Sequence, residues 1–571
     1  MNKKYEAAKL EADNVDLEVI NAIKSGVSFR MEAGAGSGKT YSLIKAIEWI
    51  EDNKAEEYKR NKQNVICITY TNAAVDVISS RIKNNSSIIP STIHSFAWNS
   101  IKQFQNFLID KVQNDQVFFS NESDFFEIKQ VSYTLGNRYN ENGIQYLSHG
   151  DVLMLFCELL DNSKFRRIFS NKYPLILIDE YQDSYKPVIE RFIKYFISEN
   201  IKPQFGFFGD SWQTIYQSNH ACGLIEDKNI RVINKISNFR SSPKIVELLN
   251  YLRTDLQQIS AIDDFEGEIY VITCEDFLGK RRLDRNFRND LPVEELRMRL
   301  NKLEKKVKKN IDNNESLKIL MISHKVLANQ QGYEKLLEII NNSLRDKEDP
   351  FLLFFMNTVE PIYQALETNN MQLLFDTLKI RRYPINKKNE KGKWKEFYND
   401  LKEARKKNAI NVLNAIKKSK LFSIPTNLES YMNMYSTAPE TIYSSSTIKK
   451  FLDLEYQQFI SSIEFLKPDS VFSTEHGVKG EEYDNVIFAI TKGWNQYQFD
   501  IYAPMIHDNN PPDKLQASFE RNRNLFYVCC SRAKKRLYFF ITFPIDNKFE
   551  SFLKRISGGN YYSYDEFMKN V

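Results

Sequence analysis

Residues 33–40 form a glycine-rich loop whose composition suits phosphate binding. The loop reads Ala33-Gly34-Ala35-Gly36-Ser37-Gly38-Lys39-Thr40. Glycines allow tight turns in which backbone N–H groups face phosphate oxygens, and the helix that follows adds the positive end of its dipole. We expect Lys39 to reach the β and γ phosphates and Thr40 to hold Mg²⁺. Ala33 stands where the common pattern has its first glycine.

Two adjacent carboxylates supply the second chemical group. Asp179 and Glu180 directly follow the apolar run Leu175 to Ile178. A parallel α/β sheet presents its ligands at the carboxyl ends of its strands, where a phosphate-binding loop also lies. Asp179 suits Mg²⁺, either directly or through a water molecule. Glu180 points elsewhere and is placed to orient and deprotonate an attacking water.

The elements that must position these groups are short strands alternating with helices. Apolar runs separated by helical patterns predict parallel sheets with helices on both faces. The runs fall in two regions, which predicts two α/β cores. The first set is Val27–Met31, Val65–Thr69, Leu175–Ile178 and Phe205–Phe208, and the second is Ile269–Thr273, Ile319–Ile322, Val486–Ile490 and Leu537–Ile541.

Two stretches interrupt this alternation and are interpreted as mainly helical insertions, one in each core. Residues 99–148 are polar and lack a strong strand pattern, whereas residues 333–465 are mostly helical in pattern. Inside the second stretch we expect an exposed loop over Asn386 to Lys395. The segment from Lys379 to Lys420 holds 15 Lys/Arg against 4 Asp/Glu, which is either a solvated helical face or a phosphate-tracking patch.

Length and composition bound the class of protein. A chain of 571 residues exceeds a single hydrophobic core, so several domains are expected. No apolar run reaches the length of a membrane span, so no membrane partner is expected. The six cysteines show neither a CxxC pair nor disulfide spacing, which favours a reducing cytoplasm. The net charge of +5 does not by itself identify a nucleic-acid binder.

The motifs together resemble those of superfamily 1 DNA helicases of the UvrD/Rep/PcrA group. Asp179-Glu180-Tyr181-Gln182-Asp183 is similar to the DExxQ signature of that group. Other segments match its remaining signatures in order. They are Ile68-Thr69-Tyr70-Thr71-Asn72-Ala73-Ala74, Ser91-Thr92-Ile93-His94-Ser95-Phe96, Gly209-Asp210-Ser211-Trp212-Gln213-Thr214-Ile215-Tyr216, Asn238-Phe239-Arg240-Ser241, Thr474-Glu475-His476-Gly477-Val478-Lys479-Gly480-Glu481-Glu482-Tyr483 and Arg523-Asn524-Leu525-Phe526-Tyr527-Val528 with Ser531-Arg532-Ala533.

The resemblance implies an α/β fold of two RecA-like motor domains, each carrying a mainly helical insertion. The first motor domain, 1A, would comprise residues 1–98 and 149–228, with insertion 1B at 99–148. The second, 2A, would comprise residues 229–332 and 466–571, with insertion 2B at 333–465. ATP and Mg²⁺ would bind between the two motor domains.

The resemblance also assigns roles to residues in the ATP site. Arg240 and Arg532 would stabilise charge on the γ-phosphate in the transition state, and Gln213 would sense the γ-phosphate or the attacking water. Phe239 would stack on adenine, and Glu482 would lie near the ribose. Near the base, Tyr41 takes a position that is often Arg in relatives, and Glu18 takes the position of their adenine-reading Gln.

The family's strand contacts fall on six residues of this chain. Hydroxyl and amide groups can bind phosphates without reading sequence, and aromatic faces stack on bases. The expected partners are single-stranded DNA and single-strand/duplex junctions. The residues are Tyr70, Thr71, Asn72, His94, Phe96 and His476.

Departures from the family leave alternatives open. After Tyr216 the family continues with a base-stacking Trp and an Arg, where this chain has Gln217-Ser218-Asn219; Trp212 or another ring would have to substitute. The main hypothesis is an ATP-driven 3′-to-5′ DNA translocase or helicase. A second is a DNA-stimulated ATPase with little unwinding, because the short insertions resemble the UvrD-like subunit of the Gabija anti-phage system, which works with a nuclease partner. A third is an RNA-directed motor.

Overall fold

The computed structural model describes most of the chain. The described residues are 3–82, 87–114, 128–134, 138–215, 221–321, 327–328, 331–340, 349–379, 388–437, 443–467, 470–474, 479–493, 497–507, 511 and 513–570.

The strands of the described residues are numbered in chain order. They are β1 Phe29–Ala33, β2 Val65–Thr69, β3 Ile88–Thr92, β4 Gln130–Tyr133, β5 Tyr139–Glu141, β6 Ile144–Leu147, β7 Leu175–Asp179, β8 Gln204–Gly209, β9 Arg231–Lys235, β10 Ser237–Asn238, β11 Ile259–Ser260, β12 Glu268–Thr273, β13 Leu317–Met321, β14 Phe472–Thr474, β15 Tyr483–Ile490, β16 Ala533–Ile541 and β17 Tyr561–Ser563.

The α-helices are numbered in the same way. They are α1 Lys3–Ser25, α2 Lys39–Asn53, α3 Ala55–Arg60, α4 Asn72–Ser79, α5 Ile93–Ile101, α6 Gln105–Asn114, α7 His149–Leu160, α8 Ser163–Lys172, α9 Lys186–Phe192, α10 Pro243–Leu252, α11 Val293–Asn310, α12 Glu334–Ile340, α13 Pro350–Phe354, α14 Glu360–Glu367, α15 Met371–Leu378, α16 Lys388–Ala404, α17 Ala409–Ser419, α18 Thr426–Thr437, α19 Tyr443–Leu452, α20 Tyr456–Leu466, α21 Phe499–Tyr502, α22 Gln516–Cys530, α23 Asn547–Ser557 and α24 Tyr564–Asn570.

Two six-stranded sheets organise the chain, and the pairs within each are parallel. The first has the order β3-β2-β7-β8-β1-β9, and the second has the order β14-β13-β15-β16-β12-β17. The predicted α/β architecture with two parallel-sheet cores is confirmed. We call the core around the first sheet the first lobe and the core around the second sheet the second lobe.

Burial on both faces explains the continuous apolar runs of the central strands. In β7, Ile176 and Ile178 pack into one apolar cluster, while Leu175 and Leu177 pack into another on the opposite face. Successive side chains of a strand alternate between faces, so a strand covered on both sides must be apolar throughout. The carboxyl end of β7 therefore emerges from a rigid core.

The first sheet extends beyond the boundary predicted at residue 228. Strand β9 pairs with β1 from Phe29↔Arg231 to Ala33↔Lys235. The first lobe therefore continues at least to Lys235. The connection to the second lobe follows this strand, close to Asn238 and Arg240.

The first insertion differs from the expected helical segment. Its described residues include α6 and a small sheet of order β4-β6-β5, which the sequence pattern does not predict. The second insertion is helical as expected, from α12 to α20. The expected exposed loop over Asn386 to Lys395 is wrong for its described part, because α16 begins at Lys388. Across the described residues, no helix has both the length and the apolar character needed to cross a bilayer.

Candidate functional site: the cleft between two lobes

The phosphate-binding loop joins β1 to α2 in the geometry that its glycines permit. Gly36 and Gly38 have φ of +74° and +78°, in the left-handed region, and Gly38 occupies the N-cap position of α2. Lys39 and Thr40 thus lie in the first turn of that helix. Within the described part of the chain, the buried Ser37 hydroxyl has no hydrogen-bond partner. An anion bound by this loop is a suitable acceptor for that hydroxyl.

Segments of the second lobe lie directly on this loop. Phe239 donates its backbone N–H to the carbonyl of Gly36 at 2.9 Å, and Asn238 donates its side-chain amide to the carbonyl of Ala35 at 2.9 Å. A Cβ atom added at Gly36 would lie 2.6 Å from the Cβ of Arg240. The first predicted arginine therefore begins beside the phosphate-binding loop.

Lys39 and the two predicted carboxylates form one charged group. The Lys39 ammonium lies 3.1 Å from Glu180 Oε1, and its side chain is 11% exposed. Burial opposes the charge on Lys39, but attraction by Glu180, Asp210 and Asp179 raises its pKa above the usual value. Glu180 has a φ of +48°, an uncommon conformation for a residue with a side chain, and such residues cluster at functional sites.

The pKa values of the two adjacent carboxyls, Asp179 and Glu180, are shifted in opposite directions. Burial and the neighbouring Glu180 raise the pKa of Asp179. Burial also opposes the charge on Glu180, but Lys39 and Lys479 hold the pKa of that carboxyl below its usual range. Glu180 is thus the ionised partner, as a general base must be. Asp179 has the higher affinity for a proton. A divalent cation bound at Asp179 would instead favour its ionised form.

Gln213 links this group to the second lobe. Its side-chain amide donates to Asp210 Oδ2 at 2.8 Å, and its Oε1 accepts from Arg532 Nη2 at 3.4 Å. Arg532 is 1% exposed and also donates to the carbonyls of Val528 and Glu481. Burial, together with the nearby Arg240 guanidinium, lowers the pKa of Arg532 to about 9. A strongly anionic neighbour would favour the charged form of this buried arginine.

Arg240 and Glu482 form an ion pair at the rim of the cleft. Arg240 Nε donates to Glu482 Oε2 at 2.8 Å, and Lys534 lies 2.9 Å from the other carboxylate oxygen. Burial of Glu482 is outweighed by these two cations, which lower its pKa. Glu482 is 44% exposed at its side chain, so it remains accessible from solvent.

The residues predicted near the base differ in exposure and contacts. Phe239 is partly buried, and the ring of Tyr5 meets it edge-on with a centroid separation of 6.1 Å. Tyr41 is 56% exposed, with the Lys45 ammonium 5.4 Å from its ring centroid. Glu18 lies on an exposed side of α1. The adenine-reading role considered for Glu18 stays a prediction.

Lys479 is a site residue to which the motif comparison gives no role. It belongs to the second lobe, yet it hydrogen-bonds Asp183, lies 3.8 Å from Glu180 Oε2 and donates to the carbonyl of Gln213 at 2.7 Å. It therefore contacts the DExxQ-type segment and the Gln213 turn at once. The only sequence signal was its place in a motif, because its partners lie more than 260 residues away.

The predicted strand-contact residues differ in exposure. Tyr70, Thr71 and Asn72 lie where β2 ends and α4 begins, and all three are exposed. Thr71 also caps α4 by accepting from the backbone N–H of Ala74 at 3.2 Å. These residues are available to a ligand at the carboxyl edge of the first sheet. His476 lies outside the described residues, as does the altered segment Gln217-Ser218-Asn219.

Phe96 is a correction to the sequence analysis. Its side chain is 2% exposed, and its ring meets those of Phe156, Phe169 and Tyr173 at centroid separations of 5.3–5.9 Å. A ring enclosed by other aromatic rings cannot stack on a base, so Phe96 is a core residue. The periodicity of the sequence alone does not distinguish a core residue from a base-stacking residue.

His94, by contrast, remains partly accessible. Its ring lies 4.4 Å from that of His149, which in turn bonds the Tyr133 hydroxyl through Nδ1 at 2.5 Å. Burial and the neighbouring His149 lower the pKa of His94 to about 4. A neutral imidazole at this position can donate or accept a hydrogen bond but adds no positive charge for a phosphate.

Trp212 does not provide the substitute stacking platform that the sequence left open. It is 7% exposed, with the Arg523 guanidinium 4.2 Å and that of Arg253 5.4 Å from its ring centroid. Tyr527 meets it edge-on at 5.5 Å. The ring is thus enclosed by groups of the second lobe.

Comparisons with known proteins agree with this geometry. An AAA domain family model matches residues 17–219. The chain is 23% identical to the Gabija protein GajB of Bacillus cereus (strain HuB5-5), over 98% of both chains. It is 25% identical to the mitochondrial ATP-dependent DNA helicase HMI1 of Saccharomyces cerevisiae, over 43% of this chain and 41% of that protein. It is 27% identical to the ATP-dependent DNA helicase Rep of Buchnera aphidicola, over 38% of this chain and 40% of that protein.

The chain is similar to helicases of superfamily 1. The order of its motifs, its two parallel sheets and its helicase relatives all support this similarity. The residues that resemble the ATP-site motifs of those helicases meet in one cleft. Lys39, Glu180 and Gln213 come from the first lobe, and Arg240 and Arg532 come from the second.

The residues of this cleft fit ATP with Mg²⁺. The loop offers backbone N–H groups, an unsatisfied Ser37 hydroxyl and the Lys39 ammonium to phosphate oxygens. Thr40 and Asp179 are oxygen donors of the kind Mg²⁺ takes, with the remaining positions left to phosphate and water. No group of three or more His, Cys, Asp or Glu side chains suited to a metal occurs among the described residues.

Proposed function

We propose that this chain hydrolyses ATP and uses the free energy to move 3′ to 5′ along single-stranded DNA. The observation that supports this best is the contact between Gln213 and Arg532, 3.4 Å apart across the lobes, beside the Lys39–Glu180 ion pair. A site shared by two lobes responds to hydrolysis by changing how those lobes fit together.

The chemistry follows from the charges of the cleft. Glu180, kept ionised by Lys39 and Lys479, is the base that takes a proton from the attacking water. Gln213 orients that water, and Arg532 with Arg240 balances the charge that develops on the transferred phosphoryl group. When bound, Mg²⁺ held by Thr40 and Asp179 would neutralise charge on the β and γ phosphates.

Arg532 is suited to this role because its buried guanidinium contacts Gln213 across the cleft. It also donates to two carbonyls and to the Ser531 hydroxyl. Burial opposes its charge, and a bound anion would favour that charge. Arg240 is already paired with Glu482, so it must exchange that partner for phosphate.

DNA is proposed to bind where Tyr70, Thr71 and Asn72 are exposed. These residues sit at the end of β2, next to the strand that carries Asp179. Their hydroxyl and amide groups can contact phosphates at any sequence, and Tyr70 can stack on a base. A junction with duplex DNA is a further proposed substrate. The cytoplasmic location is also part of the proposal and rests on the absence of disulfide spacing.

An ATPase assay on the purified chain tests the proposal. We expect hydrolysis to rise severalfold with single-stranded DNA, and to be lost in Lys39→Ala while DNA binding persists. Lys54→Ala is a matched control, because Lys54 lies beyond the other end of α2, where it forms an exposed ion pair with Glu57. Stronger stimulation by RNA than by DNA of the same sequence would replace DNA with RNA as the track, and unchanged hydrolysis in Lys39→Ala would refute the site.

A second function, as a subunit of a Gabija-type anti-phage assembly, is favoured by one observation. The similarity to the Gabija protein GajB extends over 98% of both chains. In this proposal a partner nuclease works with the chain, which acts as a DNA-stimulated ATPase with little unwinding. Strand separation on a partial duplex distinguishes the two functions: efficient unwinding by the isolated chain favours the helicase, whereas ATPase without unwinding favours the regulatory subunit.

A further inference from the structure

Arg253 is a buried cation of the second lobe, and two of its three carboxylate partners lie in the first lobe; the third, Asp255, lies 3.4 Å from its Nε in its own lobe. Arg253 directly follows α10, whose apolar side packs against the second sheet, and it is 1% exposed. Its Nη2 lies 3.0 Å from Glu32 and its Nη1 lies 2.6 Å from Asp210. Glu32 is the penultimate residue of β1, just before the phosphate-binding loop, and Asp210 follows β8.

The two carboxylates bound by Arg253 hold other parts of the site. Glu32 accepts from the Tyr181 hydroxyl at 2.7 Å and from the backbone N–H of Ser211 at 2.8 Å. Asp210 accepts from the Gln213 amide at 2.8 Å. Through these bonds one guanidinium is connected to the ends of β1, β7 and β8.

An aromatic contact accompanies the ion pairs. The guanidinium groups of Arg253 and Arg523 lie 5.4 and 4.2 Å from the ring centroid of Trp212. Tyr527, edge-on to Trp212, accepts a hydrogen bond from the backbone N–H of Ala35 at 3.3 Å. This cluster is therefore a second contact between the lobes, distinct from the pair formed by Gln213 and Arg532.

We propose that Arg253 is a positioning residue that makes hydrolysis depend on lobe docking. Arg253 holds Asp210 in place. Asp210 in turn binds the amide nitrogen of Gln213, so that the amide oxygen of Gln213 faces Arg532. When the second lobe moves away, Arg253 leaves with it and Gln213 loses its orientation. This inference rests on the proposed ATPase function and adds a means of regulating it.

Substitution separates this role from simple stabilisation. Arg253→Met removes the charge and leaves two carboxylates without their shared partner. Arg253→Lys keeps the charge, but an ammonium lacks the planar fork that reaches two carboxylates at once. Arg299→Met is the control: Arg299 is 8% exposed and is bonded to Asp276 and Glu295, both at 2.7 Å, in the second lobe.

Steady-state kinetics provide the first readout. For Arg253→Met we expect kcat for DNA-stimulated ATP hydrolysis to fall by about 10²-fold, the usual effect of a misplaced catalytic group. KM for ATP should stay within about threefold, because Lys39 and the loop are untouched. Arg253→Lys should recover part of kcat, and Arg299→Met should retain it. Unchanged kcat in Arg253→Met, or an equal loss in Arg299→Met, would overturn the proposal.

Hydrogen exchange provides a readout that does not require catalysis. We expect peptides covering residues 205–214 to exchange faster in Arg253→Met than in the wild-type chain, and at the wild-type rate in Arg299→Met. Unaltered exchange there would overturn the proposal even if activity fell. A wild-type chain without ATPase activity would refute the proposed function instead, and the exchange data would still decide whether Arg253 positions the Gln213 turn.

Discussion

Glu180→Gln isolates the proposed base from the binding of nucleotide. The substitution keeps the size of the side chain and removes its ability to take a proton. It also removes the negative charge that lies 3.1 Å from Lys39 and 3.8 Å from Lys479. The two consequences act on different steps, so they can be measured separately.

The expected magnitudes follow from these contacts. Loss of a general base lowers the rate by about 10²–10⁴-fold, which corresponds to about 2.7–5.4 kcal/mol in the activation free energy. The Glu180 carboxylate competes with phosphate for Lys39, and at an effective dielectric constant of about 20 two opposite charges about 3–4 Å apart attract by about 4–5 kcal/mol. Without that competition, the Kd for ATP should remain within about threefold or become tighter.

Single-turnover hydrolysis and equilibrium nucleotide binding measure the two effects. Glu190→Gln is the matched control, because Glu190 is 60% exposed and pairs with Lys186 one turn away on α9. Such exposed pairs contribute only about 0.3–0.5 kcal/mol, so the control should hydrolyse ATP at the wild-type rate. Hydrolysis by Glu180→Gln within about threefold of the wild type would refute Glu180 as the base.

Three further predictions concern other parts of the molecule. Between pH 6.5 and about 4, His94 is protonated in the unfolded chain but not in the folded chain. The free energy of unfolding should therefore decrease by up to about 3 kcal/mol as the pH is lowered through that range. His94→Gln should flatten this pH dependence in urea denaturation. Phe96→Ala should lower the free energy of unfolding by about 3–5 kcal/mol, whereas Tyr70→Ala should leave it unchanged and weaken single-stranded DNA binding by about 1–3 kcal/mol; a reversal of these effects in denaturation and fluorescence-anisotropy titrations would contradict the assignment. Lys479→Met should slow ATP hydrolysis by about 10–100-fold through loss of a cation facing Glu180, and a rate equal to the wild type would exclude Lys479 from the site.

The buried strands were predictable from sequence because both of their faces are apolar. Strands β3 and β9 lack this signal and were missed. β3 lies at the sheet edge, contains Pro90 and is only partly buried, while β9 is polar, with two of its five residues buried. Edge strands need not be apolar and tolerate proline, so composition does not reveal them.

The helix α16 shows how charge obscured a periodic pattern. Its lysines and Gly392 favoured a loop, yet Trp394, Phe397, Leu401 and Ala404 are buried at helical spacing. That spacing places one apolar side on a helix whose remaining surface is basic. Periodicity was the better guide here, and net composition was misleading.

The site was predictable where function depends on short local motifs. The loop residues, Glu180 and Gln213 were recognised because each sits in a compact signature. Arg253 and Lys479 act through partners that are distant in sequence, such as Glu32, 221 residues from Arg253, and Asp183, 296 residues from Lys479. No spacing rule links such residues, and only the packing of two lobes brings them together.

Translocation kinetics test whether the cleft between the lobes drives movement on DNA. The chain is mixed with single strands of increasing length that carry a fluorophore at the 5′ or the 3′ end, and its arrival at each end is followed after ATP is added. We expect a delay that grows with strand length for the 5′ label alone, and no arrival in Arg532→Ala. Arrival times independent of length in the wild-type chain, or length-dependent arrival in Arg532→Ala, would contradict a motor driven by the cleft between the lobes.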